Sequence, residues 1–413
     1  MNICIFEDET TVNFAPLTHL RPVYDLRFGI RTLREKVVQE FPADTSVFLF
    51  TRAYLADLVQ EQNPGVPVNR LPDADVLFVN GRALVTTELV QEIKRTEPAL
   101  YTSDGAVVAA YVPAAKMAGL KEKSGALLTA ADFPELPEKS VSAKLFRYNF
   151  ELVLNNAEEI EREFQLFGKG GQILGKIYEG VIILNKENVF VDEGAFVKPG
   201  TVLDGEEGPI YIGKGAKILS NVTIDGPTFV GNKSLVKTGA YVYDGVSIGE
   251  VSKIGGEVEA SIIHSFSNKQ HDGFLGHAYL GQWVNLGSDT NNSDLKNNYG
   301  NVKVWVNGEF VDSGSLFVGL TMGDHSKAGI DTMFNTGTVV GIMSNVFGAG
   351  FPPKFIPSFS WGGADGFVTH KLEKALETAD KVMKRRDQKV TPALEKAVRE
   401  VFRLTQKERD SLK

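Results

Sequence analysis

A six-residue repeat dominates the second half of this chain. Neither an α-helix, with a period of 3.6, nor a strand, with a period of two, produces such a spacing. It is typical of a parallel β-helix, in which each hexad forms a short strand and a turn and the stacked coils bury one another's apolar residues. Without a break, aliphatic residues occupy every sixth position at Ile212, Ile218, Ile224, Val230, Val236, Val242, Ile248 and Ile254.

The same period begins before this block and returns after it. Val191, Val197 and Leu203 precede it, ahead of the interrupting "GEEGP" segment. Three hexads make one triangular coil, so the repeat predicts a solenoid of many coils. The period resumes at Leu316, Met322, Ala328, Phe334, Val340 and Val346.

The first half of the chain has a different pattern, in which strand-like and helix-like segments alternate. Apolar runs at 2–6 and 76–79 are of strand length, whereas residues 28–41 and 148–164 carry apolar side chains at helical spacing. This alternation predicts a mostly parallel sheet flanked by helices. The glycine-rich "FGKGG" marks the boundary to the repeats.

The last 50 residues or so return to a helical pattern. Apolar residues between 368 and 383 lie on one helical face, and Thr391 followed by Pro392 is typical of a helix start. We expect these helices to pack on the solenoid. The basic run "KVMKRRDQK" within them is interpreted as a solvated face.

Composition limits the possible functions. A net charge of −8 argues against general binding to nucleic acid or to a membrane surface, because both require clustered positive charge. The single cysteine, Cys4, excludes internal disulfides and cysteine-based zinc sites. The N-terminus shows no secretory signal and no apolar run is long enough to span a bilayer, so we expect a cytoplasmic protein without a membrane partner.

Three segments carry a resemblance to a known family. They are "PLTHLRPVYDLRFGIRTLREK", "GHAYLGQWVNLGSDTNNSDLKNNYG" and "GDHSKAGIDTMFNTGTVVG" with the following "FGAGFPPKFIPSFSWGG". The chain resembles the bifunctional N-acetylglucosamine-1-phosphate uridyltransferases/glucosamine-1-phosphate acetyltransferases, and is most similar to a bacterial group of their relatives. The resemblance implies an α/β nucleotidyltransferase-like domain at 1–167, a left-handed parallel β-helix acyltransferase-like domain at 168–364 and C-terminal helices at 365–413. It also implies a homotrimer.

The resemblance assigns roles within the repeats. His277 in "GHAYLG" matches the family's catalytic histidine and would act as general base in acyl transfer from acetyl-CoA to an amino-sugar or sugar phosphate. Asn285 in "VNLG", Asn298 in "NNYG" and Tyr279 would bind this acceptor. The distance from His277 to "VNLG" is shorter than in the family pattern by about one hexad, which predicts different coil faces for His277 and Asn285. Lys327 in "GDHSKAG" would contact a phosphate of CoA, or form with His325 an exposed turn.

For the first domain the resemblance implies nucleotidyl transfer from a nucleoside triphosphate to a sugar 1-phosphate. The segment "IFEDETTVNFAPLTHLRP" stands where the family has a glycine-rich loop, and it contains no glycine. Asn80 stands where an Mg²⁺-binding aspartate is expected. Either the domain is a variant transferase, with Arg21, Arg27, Asn80 and Arg82 around the phosphates and Mg²⁺ as cofactor, or it is a degenerate sugar-nucleotide-binding domain. Glu7 and Asp8 are metal ligands in the first case, or exposed carboxylates at a strand end.

Two functions outside bifunctional catalysis stay open from the residues alone. One is a non-catalytic trimer that binds a sugar nucleotide and regulates a partner. The other is a β-helix metalloenzyme, for which the available ligands would be His264, His271 and His277.

Overall fold

The computed structural model describes residues 1–93 and 97–410. The N-terminal part consists of a sheet with helices against it. Its helices are α1 (Leu33–Gln39), α2 (Ala56–Gln62), α3 (Thr87–Glu92), α4 (Ala118–Glu122), α5 (Asn149–Leu154) and α6 (Asn156–Phe167). Its strands are β1 (Asn2–Phe6), β2 (Arg27–Phe28), β3 (Arg31–Thr32), β4 (Ser46–Leu49), β5 (Val76–Asn80), β6 (Ala99–Ser103), β7 (Ala106–Val112) and β8 (Glu138–Ser140).

The N-terminal sheet has the spatial order β4-β1-β5-β7-β6-β8, and three of its five strand pairings are parallel. β1 pairs in parallel with β4 and β5, whereas β7 runs antiparallel to both β5 and β6. β7 departs from the mostly parallel arrangement because Asp104 and Gly105, with φ of 50° and 76°, turn the chain straight back from β6. Two consecutive positive φ angles are characteristic of a two-residue hairpin turn.

Two helices are shorter than the apolar spacing predicts. α1 begins at Leu33 rather than at Phe28, because Gly29 bends the chain and Thr32 caps the helix with Glu35 in a capping box. The helical pattern of 148–164 is divided between α5 and α6 at Asn155.

The second half of the chain is a parallel β-helix with three faces, here named A, B and C in the order in which the chain visits them. The strands of each coil pair in parallel with those of the next coil. On face B, for example, Ile210 lies opposite Thr228. Face A runs through Ile182–Leu184, Val202–Asp204, Thr223–Asp225, Tyr241–Val242, Glu257–Glu259, Phe274–Gly276, Asn291–Asn292 and Met333–Phe334. Face B runs through Val189–Val191, Ile210–Ile212, Thr228–Val230, Val246–Ile248, Ile262–Ile263, Tyr279–Leu280, Thr321–Met322, Val339–Val340 and Phe355–Ile356. Face C runs through Lys176–Ile177, Phe196–Val197, Lys217–Ile218, Leu235–Val236, Lys253–Ile254, Asn268–Lys269, Lys327–Ala328, Asn345–Val346, Ser360–Gly363 and Gly366–Thr369.

The predicted repeat residues fill the interior of the solenoid. All of the uninterrupted block from Ile212 to Ile254 is fully buried in one apolar cluster, together with Val191, Val197 and Leu203. Leu316 is the exception, since it is 40% exposed. It belongs to an insertion, formed by the hairpin of Lys303–Val306 and Glu309–Asp312, which interrupts the coils. The predicted fold class is confirmed.

The C-terminal helices are α7 (Leu372–Lys384), α8 (Pro392–Leu404) and α9 (Gln406–Asp410). Thr391 caps α8 through the backbone N–H of Leu394, as the sequence predicts. Buried residues of α7 and α8 share an apolar cluster with the N-terminal sheet and with Ile342, Met343 and Phe359 of the solenoid. The C-terminal helices therefore contact both halves of the molecule. Within the described residues no helix combines the length and the apolar character needed to cross a membrane.

Face B carries the N-terminal domain. Tyr279 and Ile262 project from it into a cluster with Phe28 and Leu152, and Phe229 packs beside Ile160 and other residues of α6. Ion pairs also bridge the two domains: Arg21 Nη2 lies 2.5 Å from Asp324 Oδ2, and Arg27 Nη2 lies 2.7 Å from Glu250 Oε1.

Two histidines buried at this domain contact make folding sensitive to pH. Burial, together with Arg21 and Arg27, holds the pKa of His264 well below its usual value, and burial, together with Lys327, does the same for His325. As the pH falls below about 6.5, the unfolded chain takes up protons that the folded chain cannot accept at these sites. We expect the free energy of unfolding in urea to fall by up to about 2.7 kcal/mol per pH unit from these two sites. A His264→Gln/His325→Gln variant should lose this part of the pH dependence; an unchanged slope would refute the assignment.

Candidate functional site

His277 lies at the corner between faces A and B, immediately before the strand Tyr279–Leu280. Its backbone has φ of 45°, in the left-handed region. Similar values occur at the next corner of successive coils, at Phe266, Trp283 and His325. The left-handed conformation of His277 is therefore a property of the corner and not a sign of special strain.

The imidazole of His277 is paired with a carboxylate. Its Nδ1 lies 2.8 Å from Oδ2 of Asp294, and the ring stacks on Phe317 with centroids 5.1 Å apart. The two paired side chains are 16% and 13% exposed. The pair is thus neither buried in the core nor freely solvated.

This arrangement fits a general base. If Nδ1 donates its proton to Asp294, the ring is held in one orientation and Nε2 is left with a lone pair. A partly exposed Nε2 can then accept a proton from a bound nucleophile.

Asn285 lies away from this pair, on face C. It bridges Asn268 and Lys327 in neighbouring coils, and its backbone carbonyl accepts a hydrogen bond from the N–H of Ala328 at 2.9 Å. The expectation of different faces for His277 and Asn285 agrees with this position. The structure brings Asn285 and Lys327 together in the wall of one cavity. Asn298 is exposed, and its Oδ1 accepts a hydrogen bond from the backbone N–H of Gly300.

Lys327 and His325 do not form an exposed turn. His325 is 5% exposed and stacks against Trp283, with ring centroids 6.0 Å apart. Burial lowers the pKa of Lys327 to about 8. Side chains at this corner are covered because the N-terminal domain and α7 pack against the coil.

Tyr279 requires a correction. It is 1% exposed, and its hydroxyl donates a hydrogen bond of 2.8 Å to the backbone carbonyl of Arg27. The tyrosine side chain therefore joins the solenoid to the N-terminal domain in this structure, and its hydroxyl is not available to an acceptor.

Asp8, Asn80 and Arg82 meet in the N-terminal domain at the carboxyl ends of the adjacent parallel strands β1 and β5. This edge of a sheet is the usual place for ligands in α/β folds. Nδ2 of Asn80 donates to Oδ2 of Asp8 at 2.8 Å, and Nε of Arg82 donates to the same oxygen at 2.8 Å. All three residues are buried. The site is therefore closed by its own side chains.

The predicted phosphate-binding residues Arg21 and Arg27 are also buried in this structure. Arg21 and Arg27 are 5% and 4% exposed, and each forms an ion pair with a solenoid carboxylate. Their guanidinium groups hold the two domains together, so in this arrangement they do not face a nucleotide.

The arrangement around Asp8 does not suit Mg²⁺. Both oxygens of Asp8 accept hydrogen bonds from Arg82, and both oxygens of Glu7 accept hydrogen bonds, including one each from Arg52. Neither carboxylate is an exposed strand-end group, since Glu7 is 1% and Asp8 is 8% exposed. A divalent cation would require carboxylate oxygens that are free to coordinate it.

The histidines do not assemble a metal centre in the described part of the chain. Nε2 of His264 lies 3.3 Å from the carbonyl of Asp25, and its Nδ1 accepts a hydrogen bond from the backbone N–H of Ser265. Between residues 1 and 410, apart from 94–96, no group of three histidine, cysteine, aspartate or glutamate residues is arranged to hold a metal. The metalloenzyme alternative therefore has no support from this geometry.

Comparison with known proteins agrees with both halves of this fold. Residues 3–172 match the family described as sugar nucleotidyl transferase. A bifunctional sugar-1-phosphate nucleotidylyltransferase/acetyltransferase from Sulfurisphaera tokodaii is 30% identical over 241 residues, covering 52% of this chain and 59% of the relative. The bifunctional protein GlmU of Corynebacterium jeikeium is 26% identical over 314 residues, covering 75% of this chain and 53% of GlmU.

Over the matched residues this chain is similar to GlmU-type bifunctional proteins. The matches span 27% to 59% of the relatives' own lengths, so they do not extend over the whole of any of these proteins. Among solved structures, the UDP-N-acetylglucosamine acyltransferase of Francisella novicida aligns with 57% of this chain and 88% of its own, at 15% identity and a TM-score of 0.33.

Asp294 is the site residue that motif reasoning did not single out. It lies in "TNNSDLKNN", a stretch that turn chemistry alone could explain. The contact could nevertheless have been predicted from the position of Asp294, because Asp294 follows His277 by nearly one coil of three hexads. Residues one coil apart lie beside each other on neighbouring coils.

Proposed function

We propose that the β-helix half of this chain transfers an acyl group from an acyl-CoA to the amino or hydroxyl group of a sugar phosphate. The observation that carries the proposal is the pair of His277 and Asp294, with Nδ1 held at 2.8 Å from the carboxylate at the partly exposed corner. The relation to nucleotidyltransferase/acetyltransferases supports the choice of substrates.

The chemistry follows from this geometry. The acceptor's amine or hydroxyl attacks the thioester carbonyl and loses its proton to Nε2 of His277. Asp294 keeps the ring oriented and stabilises the imidazolium that forms. The C–S bond then breaks, the CoA sulfur leaves and a proton returns to it, so that His277 ends the cycle neutral.

The proposed enzyme is a homotrimer in which face A of one copy meets face C of the next. Face A is acidic: the pKa values of Asp225 and Glu259 are raised by partial burial and by neighbouring carboxylates, including Asp204 and Asp294 respectively. Face C carries the exposed Lys176 and Lys217. Because face A is acidic and face C carries lysines, face A of one copy attracts face C of the next copy. Such an attraction favours a closed head-to-tail ring. Native mass spectrometry tests the number of copies.

The trimer would also complete the site. In one chain His277 and Asn285 lie on different parts of the coil, but contact between a corner at face A and the neighbour's face C would bring His277 towards the cavity that Asn285 and Lys327 of that neighbour line beside the end of α7. The predicted acceptor-binding and CoA-binding residues would then act across the subunit boundary. Asn298, exposed in the insertion, is retained as an acceptor-binding residue in this proposal.

Replacing Asp294 by asparagine should lower kcat for acyl transfer at least about tenfold, because the ring loses the partner that orients it. We expect little change in KM for the acyl-CoA. Asp289→Asn is the matched control, since Asp289 is an exposed aspartate of the same stretch. Equal kcat values for the two variants, measured by thiol release, would remove Asp294 from the mechanism.

For the N-terminal domain we propose nucleotidyl transfer to a sugar 1-phosphate, supported by the match of residues 3–172. Asn80 and Arg82 lie at the sheet edge where ligands bind in such folds. In the present arrangement Arg82 is committed to Asp8, so substrate binding must open this pair. Release of pyrophosphate from a nucleoside triphosphate in the presence of a sugar 1-phosphate tests the activity.

A second candidate, a domain that binds a sugar nucleotide without turnover, is favoured by one observation. Arg21, Arg27 and Arg82, the cations predicted to surround phosphates, are all buried in ion pairs. Binding of a nucleotide sugar, which raises the melting temperature, together with no pyrophosphate release would support this candidate over nucleotidyl transfer.

A further inference from the structure

A cavity of about 290 Å³ lies where the end of α7 approaches face C. Face C contributes Lys253, Asn285 and Lys327 to its wall, and the end of α7 contributes Val382, Arg385 and Arg386. The basic run in the tail, interpreted from sequence as a solvated face, thus borders a partly open cavity at Arg385 and Arg386.

The cations around this cavity lack acidic partners. Over residues 1–93 and 97–410, none of Lys253, Lys327, Arg385 and Arg386 forms an ion pair with a carboxylate. The pKa of Lys253 is lowered by partial burial and by the neighbouring Arg386 and Arg385. Positive charges gathered in one place repel one another, and an anion between them would relieve this cost.

Other lysines on the same helix behave differently. Lys381 pairs with Glu377, and Lys384 pairs with Asp380. Cations at the C-terminal end of a helix are favoured by the helix dipole, which accounts for arginines at the end of α7. The dipole does not account for two further unpaired lysines on the opposite wall of the cavity.

Lys327 is the most enclosed of the four cations. Its ammonium group donates to two backbone carbonyls, that of His325 at 3.2 Å and that of Trp283 at 3.5 Å. Asn285, in the neighbouring coil, supplies an amide to the same wall. Phe266 and Trp283, stacked with centroids 4.4 Å apart, form an apolar wall beside these polar groups.

We propose that this cavity binds the phosphate groups of an organic phosphate, with Lys327, Arg385 and Arg386 holding the anion and Phe266 and Trp283 contacting the organic part. The proposal deepens the proposed function and rests on it for the choice of ligand, because Asn285 and Lys327 belong to both. Two substrates of acyl transfer carry this chemistry: the acyl donor, through the phosphates of CoA, and the sugar phosphate acceptor.

Isothermal titration of the full chain with coenzyme A, with a hexose 1-phosphate and with inorganic pyrophosphate tests the proposal. Arg385→Gln/Arg386→Gln should weaken binding of at least one probe about a hundredfold, because each lost charge-assisted hydrogen bond costs about tenfold in affinity. Lys381→Gln/Lys384→Gln removes the same charge from the paired lysines and should leave affinity within about twofold. Both double variants replace exposed or half-exposed side chains at the end of a helix, and thermal unfolding checks that the variants fold.

The probes separate the two sources of phosphate. Loss of coenzyme A binding alone assigns the cavity to the acyl donor, and loss of hexose 1-phosphate binding alone assigns it to the acceptor. Equal affinities of the two double variants for all three probes, or no binding of any probe to the unaltered chain, would overturn the proposal. A His277→Asn variant distinguishes this failure from failure of the proposed function, since it should bind the probes normally while losing acyl transfer.

Discussion

Replacing His277 by alanine is expected to lower kcat for acyl transfer by about 10²- to 10⁴-fold, the usual contribution of a general base. The reason is that the variant removes the proposed recipient of the acceptor's proton, Nε2 of His277, from the corner formed with Asp294 and Phe317. Thiol release from acyl-CoA, measured with a panel of sugar and amino-sugar phosphates, gives the rate.

Because the backbone of His277 is left-handed, a second variant is needed at this position. Alanine at a φ of 45° destabilises the corner, whereas asparagine tolerates left-handed backbone better. His277→Asn should therefore fold like the unaltered protein and show the same loss of rate. His271→Ala, in the exposed loop of the same stretch, is the control for a histidine without a catalytic role. Unchanged turnover in both His277 variants would end the assignment.

The second large effect is expected on stability. Asp324→Ala should lower the free energy of unfolding by about 3–5 kcal/mol, because it leaves Arg21 charged and buried at the domain contact. The two side chains are 6% and 4% exposed, with Nη2 and Oδ2 only 2.5 Å apart. Urea unfolding followed by fluorescence or circular dichroism measures the change.

A double variant tests whether the unpaired charge causes the loss of stability. If the unpaired charge is responsible, Arg21→Met/Asp324→Leu should recover most of the lost stability, since an apolar pair removes the buried charge altogether. Lys214→Ala, which breaks an exposed pair with Glu193, should leave the unfolding midpoint almost unchanged. A loss in Asp324→Ala no greater than in Lys214→Ala would show that the buried pair does not stabilise the domain contact.

The candidate site was only partly predictable from sequence. Motif reasoning proposed His277, Asn285 and Lys327 as site residues, and the spacing predicted the separate faces on which His277 and Asn285 lie. It did not find Asp294, whose surroundings resemble ordinary turn sequence. It placed Tyr279 at the acceptor, because a motif names residues that are close in sequence without stating which of them another domain covers.

The N-terminal domain shows the same limit more strongly. Arg21, Arg27 and Arg82 are cations in a segment similar to a phosphate-binding one, and nothing local reveals their partners. Asp324 and Glu250 lie hundreds of residues further along the chain, so only tertiary structure shows that Arg21 and Arg27 are neutralised.

What the sequence determined by itself is the solenoid and its interior. A six-residue period indicates in each hexad which side chain points inward. Because this information is local and repeated, the buried repeat positions from Val191 to Ile254 and from Met322 to Val346 could be predicted. No comparable period indicates which residues the outward-pointing side chains contact. Their partners depend on how the coils stack, on the N-terminal domain lying over face B and on α7 reaching face C. The pairing of His277 with Asp294 and the cationic cavity were therefore decided by tertiary structure alone.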